Sequence, residues 1–227
     1  MMKSCSLILA AGGSGTRFGG EVNKILLPLH GKAVVQHSLE VFLLHPTIRQ
    51  IVIACREEDQ AALEEIVRQA EDLCRDKKET PLPPVALTKG GATRQESVYR
   101  ALLLCTEEFV LIHDAARPFV KAEMADACLA ALDHADGAAV AVKSRDTVKI
   151  CDEDGYVLST TDRSRTWLVQ TPQGARREAL LSAYEKAEGL SATDDASLLE
   201  AAGYRVRLVP GSGGNRKITT PEDLPRG

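Results

Sequence analysis

Residues 6–20 read SLILAAGGSGTRFGG, and Lys24 follows them shortly afterwards. The apolar run at the start predicts a buried strand, because β-compatible residues stand directly before glycine punctuation. Glycines after a strand bring backbone N–H groups close to an anion, since no Cβ atom blocks the approach. Arg17 and Lys24 add two cations beside these groups. The stretch therefore predicts a polyphosphate site; the alternative is a surface loop that uses glycine only for its turns.

Two well-known phosphate loops are excluded by the spacing of these glycines. A P-loop carries Gly-Lys-Ser/Thr four residues after its first glycine, and this string does not occur. The dinucleotide fingerprint is G-x-G-x-x-G, but counting from Gly13 the third glycine position holds Phe18. A phosphate site in this loop would therefore differ from both of these motifs.

The composition is ordinary for a soluble globular chain, with 227 residues, 44% of them hydrophobic and 26% charged. A net charge of −4 argues against nucleic-acid binding, which usually requires a basic surplus. A mildly acidic chain that gathers cations at one place is typical of enzymes for anionic small molecules. No apolar run approaches the ~20 residues of a membrane span, and the apolar start lacks a cleavage site. We therefore expect a cytoplasmic protein that binds neither membrane nor nucleic acid.

The cysteines are scattered along the chain, and no C-x-x-C pair occurs. Most of them stand within apolar runs, which predicts reduced, buried thiols rather than disulfides or a zinc site. The six positions are Cys5, Cys55, Cys74, Cys105, Cys128 and Cys151.

Strand-like and helical patterns alternate along the chain. The strand-like runs are 7–9, 50–55, 84–88, 109–113, 138–142 and 205–209, and the helical patterns are 33–44, 57–74, 94–105, 122–132, 176–186 and 194–202. This alternation predicts an α/β fold with a Rossmann-like, mostly parallel sheet flanked by helices on both faces. We expect one domain over residues 1–227, with ligands outside the carboxyl ends of the strands.

Residues 146–170 interrupt this alternation. Asp154-Gly155 stands between two β-branched runs, which is a hairpin signal. A hairpin outside the helix–strand alternation predicts a protruding arm of the kind that joins two subunits. We therefore expect a homodimer formed through this arm.

Two further motifs follow predicted strand ends, so one cleft could contain them together with the first loop. Gly90-Gly91 precedes Thr93 and Glu96, a capping-box pattern that either begins a helix or also presents backbone to a flat base. Asp114 follows the next strand; it is either a magnesium ligand, since hard cations prefer carboxylate and phosphate oxygens, or a helix cap or partner of Arg117. His113 is interpreted as a packed strand-end histidine rather than a base.

Several polar residues carry little signal by themselves. Thr147, Arg163 and Lys217 are each typical of a solvated surface. Residues 193–195 read Thr-Asp-Asp and are interpreted as the cap of the helix that follows.

Together these strings resemble GT-A-like nucleotidyltransferases, and as an ordered set they are similar to the 2-C-methyl-D-erythritol 4-phosphate cytidylyltransferase family of non-mevalonate isoprenoid biosynthesis. The resemblance covers nearly the whole chain. The residues that carry it are 9–12 with 15–17, 24–28, 90–98, 113–118, 146–147, 162–163, 170–173 and 217–219. It implies that CTP and methylerythritol phosphate react to give CDP-methylerythritol and pyrophosphate, with Mg²⁺ or another divalent cation as cofactor.

The resemblance also implies a role for each matching residue. The implied catalytic residues are Arg17, Lys24, Arg163 and Lys217; the implied nucleotide-binding residues are Ala10, Ala11, Gly12, Gly13, Gly90, Gly91, Arg94, Ser97, Asp114 and Ala115; and the implied sugar-phosphate residues are Arg117, Thr147, Arg163 and Lys217. Gly90, Gly91 and Ser97 would read cytosine, and Asp114 would lie near the metal. In the family the hairpin is exchanged between subunits, so Arg163 would act in the site of the partner subunit.

Two departures from the family pattern affect single contacts. The family loop runs Ala-Ala-Gly-x-Gly-x-Arg, whereas residues 10–17 contain one residue more, which leaves open whether Gly12 or Gly13 takes the family position. Glutamine often follows the lysine in the family, and this chain has Ile25.

The implied chemistry is electrostatically reasonable. A phosphate monoester carries roughly −1.5 to −2 charge near neutral pH, so it needs no general base to become a nucleophile. Attack on a triphosphate brings two polyanions together, and Mg²⁺ with the four implied cations would balance them. Two alternatives remain open: a ribitol-5-phosphate cytidylyltransferase of the same superfamily, and a catalytically silent nucleotide-binding protein.

Overall fold

The computed structural model describes residues 3–13, 23–186 and 192–224. Arg17 and the rest of residues 14–22 lie outside the described residues. The strands are β1 (Cys5–Ala10), β2 (Pro28–Leu29), β3 (Lys32–Ala33), β4 (Ile48–Cys55), β5 (Val85–Lys89), β6 (Phe109–Asp114), β7 (Gly137–Lys143), β8 (Lys149–Cys151), β9 (Val157–Thr160), β10 (Trp167–Arg176) and β11 (Val206–Pro210). The helices are α1 (Val34–Leu44), α2 (Gln60–Cys74), α3 (Arg94–Leu102), α4 (Ala122–Ala131), α5 (Arg177–Lys186) and α6 (Asp195–Ala201).

Seven strands form one sheet in the order β11-β7-β10-β6-β1-β4-β5. All neighbouring pairs are parallel except the two that involve β10, which runs antiparallel to β6 and β7. Leu7 and Leu9 of β1 pack on one face with α1, α2 and α4, whereas Ile8 packs on the other face with α3, α5 and α6. This period-2 alternation of strand side chains between two apolar clusters produces a sheet buried on both faces. The predicted α/β class with a mostly parallel, helix-flanked sheet is confirmed.

The sequence analysis does not predict strand β10. It places residues 146–170 in the hairpin region and begins a helix at Arg176. Pro172 and Gly174 within the strand are both unfavourable in a sheet interior. A register shift between Val169 and Gln173 accommodates this segment against β7. A Cβ atom on Gly174 would lie only 2.8 Å from the Leu111 side chain, so a larger residue here would displace that side chain of β6.

The predicted hairpin is present as an antiparallel pair of β8 and β9 outside the main sheet. Its turn contains Gly155 at φ +86°, a left-handed conformation that favours glycine. Three of its apolar side chains, Ile150, Val157 and Leu158, are each more than half exposed. We call residues 149–160 the arm; its strands are short and its apolar side chains have little cover within the chain.

The cysteines are free thiols, as expected, and five are buried. Cys151 is the exception, because it lies exposed on β8 of the arm rather than in the core. None of the helices in the described ranges has the length and apolar character needed to cross a membrane.

Candidate active site

The carboxyl ends of β1, β4, β5 and β6 meet at one edge of the sheet, where a cleft of about 290 Å³ opens. The cleft brings together most of the nucleotide-binding and catalytic residues expected from the sequence. Those that line it are Ala10, Ala11, Gly12, Gly13, Lys24, Arg94, Ser97, Asp114 and Lys217.

Two backbone hydrogen bonds hold the start of the glycine loop at the end of β1. The Ala11 N–H donates to the carbonyl of Ala54 on β4 (2.8 Å), and the Ala10 carbonyl accepts from the Ala115 N–H beyond β6 (3.1 Å). A Cβ atom on Gly12 would lie 3.2 Å from Ser97 Oγ, whereas one on Gly13 would meet nothing within 4 Å. Gly12 is therefore the position at which a close approach restricts the side chain.

The second glycine turn is braced by Ser97 of α3. Its buried hydroxyl donates to the Thr93 carbonyl (2.8 Å) and accepts from the Gly91 N–H (2.9 Å). A Cβ atom on Gly90 would lie 2.9 Å from the same hydroxyl, and one on Gly91 would overlap Glu96. These contacts hold the turn against the start of α3. Glycine at positions 90 and 91 lets the backbone of the turn pack closely on the Ser97 and Glu96 side chains.

Thr93 caps α3 as expected, since its hydroxyl accepts from the Glu96 N–H at 3.0 Å. The reciprocal bond of the capping box goes to a neighbouring residue, because Glu96 accepts from the Ala92 N–H (2.7 Å). Gly90 and Gly91 do not line the main cleft; they border a smaller pocket of about 220 Å³ that also reaches Gly12.

Asp114 ends β6 and forms the centre of a cation cluster. Its Oδ1 accepts from Arg94 Nε at 3.1 Å, and its Oδ2 accepts from Lys217 Nζ at 2.8 Å. Arg117 Nε lies 3.7 Å from the same Oδ2. Burial favours the neutral acid, but the charges of Arg94 and Lys217 outweigh it and hold the pKa of the Asp114 carboxyl well below its usual range. Asp114 is thus ionised throughout the physiological pH range.

His113 is buried beside this cluster and faces away from the cleft. Its Nδ1 lies 3.0 Å from Thr171 Oγ1, its Nε2 lies 3.1 Å from the Arg117 carbonyl, and its ring packs edge-on against Phe42. Burial lowers the pKa of His113 to about 4. The histidine is therefore neutral, which confirms its interpretation as a packed residue rather than a base.

Asn23, which directly precedes Lys24, is held in place by Asp59 and by the backbone of the glycine loop, and sequence reasoning missed both Asn23 and Asp59. The buried Asn23 amide donates to Asp59 Oδ2 (2.7 Å) and to the Ala11 carbonyl (3.3 Å). Asp59 in turn accepts two hydrogen bonds from Arg56, at 2.7 and 2.9 Å. Asp59 stands in a helical pattern, where an acidic residue is usually solvated, so no sequence signal distinguishes it.

A second, open cavity of about 780 Å³ adjoins the cleft through Lys217. Besides Lys217 it is lined by four cations and one carboxylate: Arg117, Lys143, Arg145, Arg216 and Asp146. Lys143, Arg145 and Arg216 are cations that the sequence analysis missed. This basin of positive charge suits an anionic ligand adjacent to the cleft.

Three of the expected site residues lie elsewhere. Thr147 and Arg163 are exposed at either end of the arm and line neither cavity, and Ala115 is buried behind the cleft. Arg17 belongs to residues 14–22 and lies outside the described ranges. The described part of one chain therefore assembles Lys24, Asp114 and Lys217, while Arg163 remains apart.

The possible metal ligands are few. The described ranges contain no group of three or more His, Cys, Asp or Glu side chains placed to hold a metal ion. Asp114 is the one carboxylate among the described residues that line the cleft. Mg²⁺ commonly binds through one or two carboxylates together with substrate phosphates, so a single carboxylate fits a metal delivered with a polyphosphate.

The two aspartates of residues 193–195 have different contacts. Asp194 caps α6 through the Ser197 N–H (2.9 Å) in a full capping box, which confirms the expected cap. Asp195 is buried and accepts from Arg94 Nη2 at 2.8 Å. The helix start therefore reaches the Asp114 cluster, a connection that the capping interpretation did not include.

Comparison with known proteins identifies the family to which this architecture belongs. The model of the family "IspD: 2-C-methyl-D-erythritol 4-phosphate cytidylyltransferase" matches residues 5–227. The chain belongs to this family. The resemblance drawn from the sequence motifs is thereby confirmed.

Individual IspD relatives agree over nearly full length. The chain is 40% identical over 222 residues to the 2-C-methyl-D-erythritol 4-phosphate cytidylyltransferase of Microcystis aeruginosa, covering 96% of this chain and 94% of that one. The solved 4-diphosphocytidyl-2C-methyl-D-erythritol synthase of Anaerococcus prevotii superimposes with a TM-score of 0.83 at 30% identity, covering 99% and 96% of the two chains. The Thermus thermophilus 2-C-methyl-D-erythritol 4-phosphate cytidylyltransferase gives a TM-score of 0.73 at 32% identity, covering 98% and 96%.

Proposed function

We propose that this chain joins CTP and 2-C-methyl-D-erythritol 4-phosphate to give CDP-methylerythritol and pyrophosphate. The observation that carries the proposal is the position of the Asp114 cluster, which connects a glycine-lined cleft to a cationic basin through Lys217. A nucleotidyl transfer needs two anionic ligands side by side with cations between them. Membership in the IspD family selects this reaction among nucleotidyl transfers.

The cleft is the nucleotide half of the site. Its wall includes the half-buried Gly12, the exposed Gly13 and the half-buried Lys24. Backbone N–H groups at glycine positions can donate hydrogen bonds to a phosphate at close range, and a lysine supplies a point charge for the same group. We assign the triphosphate to this side, with Arg17 joining Lys24 there, and the base to the side of Ser97.

The basin is the sugar-phosphate half. Arg145 and Arg216 are exposed and available for bidentate contacts to a phosphate. Arg117 lies beside them with its Nη1 donating to the Asn215 carbonyl, and Lys217 stands at the junction of the two halves. Thr147 follows Asp146, which lines the basin, and Arg163 of the partner subunit completes the set. We expect the phosphate of methylerythritol phosphate to be held here.

The reaction then follows from charge and positioning. An oxygen of the sugar phosphate attacks the α-phosphorus of CTP, forming a new P–O bond as the bond from the α-phosphorus to the bridging oxygen breaks and pyrophosphate leaves. The attacking oxygen is already ionised, so no base is needed, in accord with the neutral, inward-facing His113. Catalysis consists of in-line alignment and stabilisation of the added negative charge by Lys24 and Lys217.

Mg²⁺ is the proposed cofactor. Asp114 would hold it together with phosphate oxygens of the nucleotide, and the ion would neutralise charge on the triphosphate. Arg94 and Lys217 already contact the two oxygens of this carboxylate. Each oxygen has a second lone pair, so the donor set admits a metal without loss of these pairs.

We further propose a cytoplasmic homodimer joined by the arm. The exposed apolar residues of β8 and β9 lie in a two-stranded ribbon, which is marginally stable alone. Burying them against a second copy would also carry Arg163 toward the neighbouring basin. This arrangement accounts for the absence of Arg163 from both cavities of its own chain.

The decisive assay is pyrophosphate release with CTP and Mg²⁺, measured separately with methylerythritol phosphate, with ribitol phosphate and without an acceptor. We expect release only with methylerythritol phosphate. Release with ribitol phosphate alone would assign the rival cytidylyltransferase activity, which the named relatives do not favour. Binding of CTP without release under any condition would indicate a silent nucleotide-binding protein.

A further inference from the structure

Asp195 has contacts that a helix cap does not need. The side chain is 1% exposed, yet it carries a carboxylate, and burial of an unpaired charge is costly. One oxygen accepts from Arg94 Nη2 (2.8 Å) and the other from the Tyr184 hydroxyl (2.9 Å). The capping of α6 is performed by Asp194, so Asp195 is free for another task.

Arg94 forms a bridge between two carboxylates. Its Nε reaches Asp114 Oδ1 at 3.1 Å while its Nη2 reaches Asp195 Oδ2 at 2.8 Å. Burial alone disfavours the charged guanidinium, but Asp195 and Asp114 outweigh this and raise the pKa of Arg94 above its ordinary value. The guanidinium is thus a fixed cation whose direction is set by two anchors.

The anchor at Asp195 is rigidly placed. Tyr184 of α5 stacks on Tyr99 of α3 with ring centroids 5.3 Å apart. Gln173 of β10 donates to Asp194 Oδ2 (2.9 Å) and accepts from the Ala196 N–H (2.8 Å), which fixes the start of α6 to the central sheet. Asp195 is therefore held by elements on both sides of it.

We propose that Asp195 is a positioning residue for the reaction, acting through Arg94 on Asp114; the inference rests on the proposed function of this cleft. Asp195 attracts one end of the Arg94 guanidinium, so only Nε contacts Asp114 and the guanidinium does not pair with that carboxylate through two nitrogens. Asp114 then retains anionic character for Lys217 and for the proposed metal. The family resemblance assigns Arg94 to nucleotide binding; in this proposal its main role is to hold the Asp114 carboxylate in position.

The test is Asp195→Asn, because an amide of the same size can still accept from Arg94 and pair with Tyr184 while losing only the charge. Loss of a supporting carboxylate typically costs about 10–100-fold in activity. We expect kcat to fall at least about tenfold with KM for CTP nearly unchanged, since Asp195 does not line the cleft. Asp72→Asn is the matched control, because it removes the same charge from a carboxylate that pairs with an arginine, Arg75, on the exposed surface of α2, and it should retain wild-type kcat.

Coupling separates positioning from a general structural effect. In an Asp114→Asn background we expect Asp195→Asn to cause little further loss, since both act through one bridge. Fully additive losses, or a kcat of Asp195→Asn within about twofold of wild type, would overturn the inference. Should Asp195→Asn not fold, Arg94→Lys decides instead: it keeps the charge but cannot bridge two carboxylates, and we expect a comparable fall in kcat. A kcat of Arg94→Lys within about twofold of wild type would overturn the inference in that case.

A crystal structure of Asp195→Asn gives an answer independent of turnover, so the inference can be judged even if the wild-type protein releases no pyrophosphate and the proposed function fails. We expect Arg94 to lie closer to Asp114 than the present 3.1 Å and farther from residue 195 than the present 2.8 Å, and the distance between Asp114 and Lys217 to exceed the present 2.8 Å. An unchanged arrangement of Arg94, Asp114 and Lys217 would contradict the proposal.

Discussion

The Asp114 cluster and the arm differ in how far a single chain completes them. In the cluster, Asp114 contacts Arg94, Arg117 and Lys217, and Arg94 is anchored a second time at Asp195. In the arm, Tyr156 and Leu158 are 74% and 66% exposed. The Asp114 cluster is thus organised within one chain, whereas the apolar side chains of the arm have little cover within it. For the proposed homodimer, this difference predicts that association of two copies affects the proposed sugar-phosphate half rather than the proposed nucleotide half.

The largest expected effect comes from the preassembled side. Lys24→Ala removes a cation from the cleft where charge develops in the transition state, and loss of one such group costs about 10²–10³-fold in rate. We expect pyrophosphate release to fall by at least this amount with an unchanged circular dichroism spectrum. Lys32→Ala, which breaks a pair with Glu40 outside the cleft, serves as the control and should remain near wild type.

A normal rate for Lys24→Ala at saturating substrates would remove the residue from the catalytic set. It would also weaken the claim that the cleft holds the triphosphate.

The arm is tested by a charge on its apolar face. Leu158→Asp should prevent burial of β9 against a second copy, giving a monomer in analytical ultracentrifugation and roughly tenfold or greater loss of activity as Arg163 is withdrawn. Leu103→Asp is the matched control, because Leu103 is 53% exposed at the end of α3, away from the arm.

Equal behaviour of these two variants would contradict a role for the arm. A monomeric Leu158→Asp with full activity would show that one chain completes its own site.

The smallest effect concerns stability in acid. His113 is buried and neutral with a pKa of about 4, below the value near 6.5 of an unfolded histidine. The unfolded state therefore binds more protons, and stability falls as the pH falls from about 7 toward 4. Between pH 7 and 5 this amounts to about 2 kcal/mol in the free energy of unfolding. The pKa of Asp114 is lowered, so the stability that this carboxylate contributes is lost only below about pH 4, outside the range from pH 7 to 5.

Urea unfolding at pH 7 and pH 5 measures this loss. We expect His113→Gln to lose less stability between the two values than wild type, while His134→Gln, at an exposed site, behaves as wild type. An identical loss in all three proteins would remove His113 as the acid-sensitive group beside the cluster.

The sequence predicts most of the fold because apolar runs with glycine punctuation coincide with real strands, as at β1 and β6. It does not predict β10, whose Pro172 and Gly174 are typical of turns. That strand is stabilised by its two neighbours in the sheet, and this contribution is invisible in a local pattern.

The site is predicted unevenly for a similar reason. Asp114 and Lys217 stand in motifs shared with a known family, so their meeting could be expected. Asp59, Asp195 and Arg216 are single charged residues that local sequence cannot distinguish from solvated ones. Only tertiary structure shows that Asp59 and Asp195 are buried with partners and that Arg216 lines the basin.

The central claim, that a second copy completes the site through Arg163, is tested most directly by subunit complementation. One subunit carries Lys24→Ala and the other Arg163→Ala, and the mixed dimer is isolated with two different tags. If Arg163 acts across the interface, one of the two sites contains both native residues, and we expect about half of wild-type activity. A mixed dimer no more active than either parent, or the failure of the two subunits to associate, would contradict the claim.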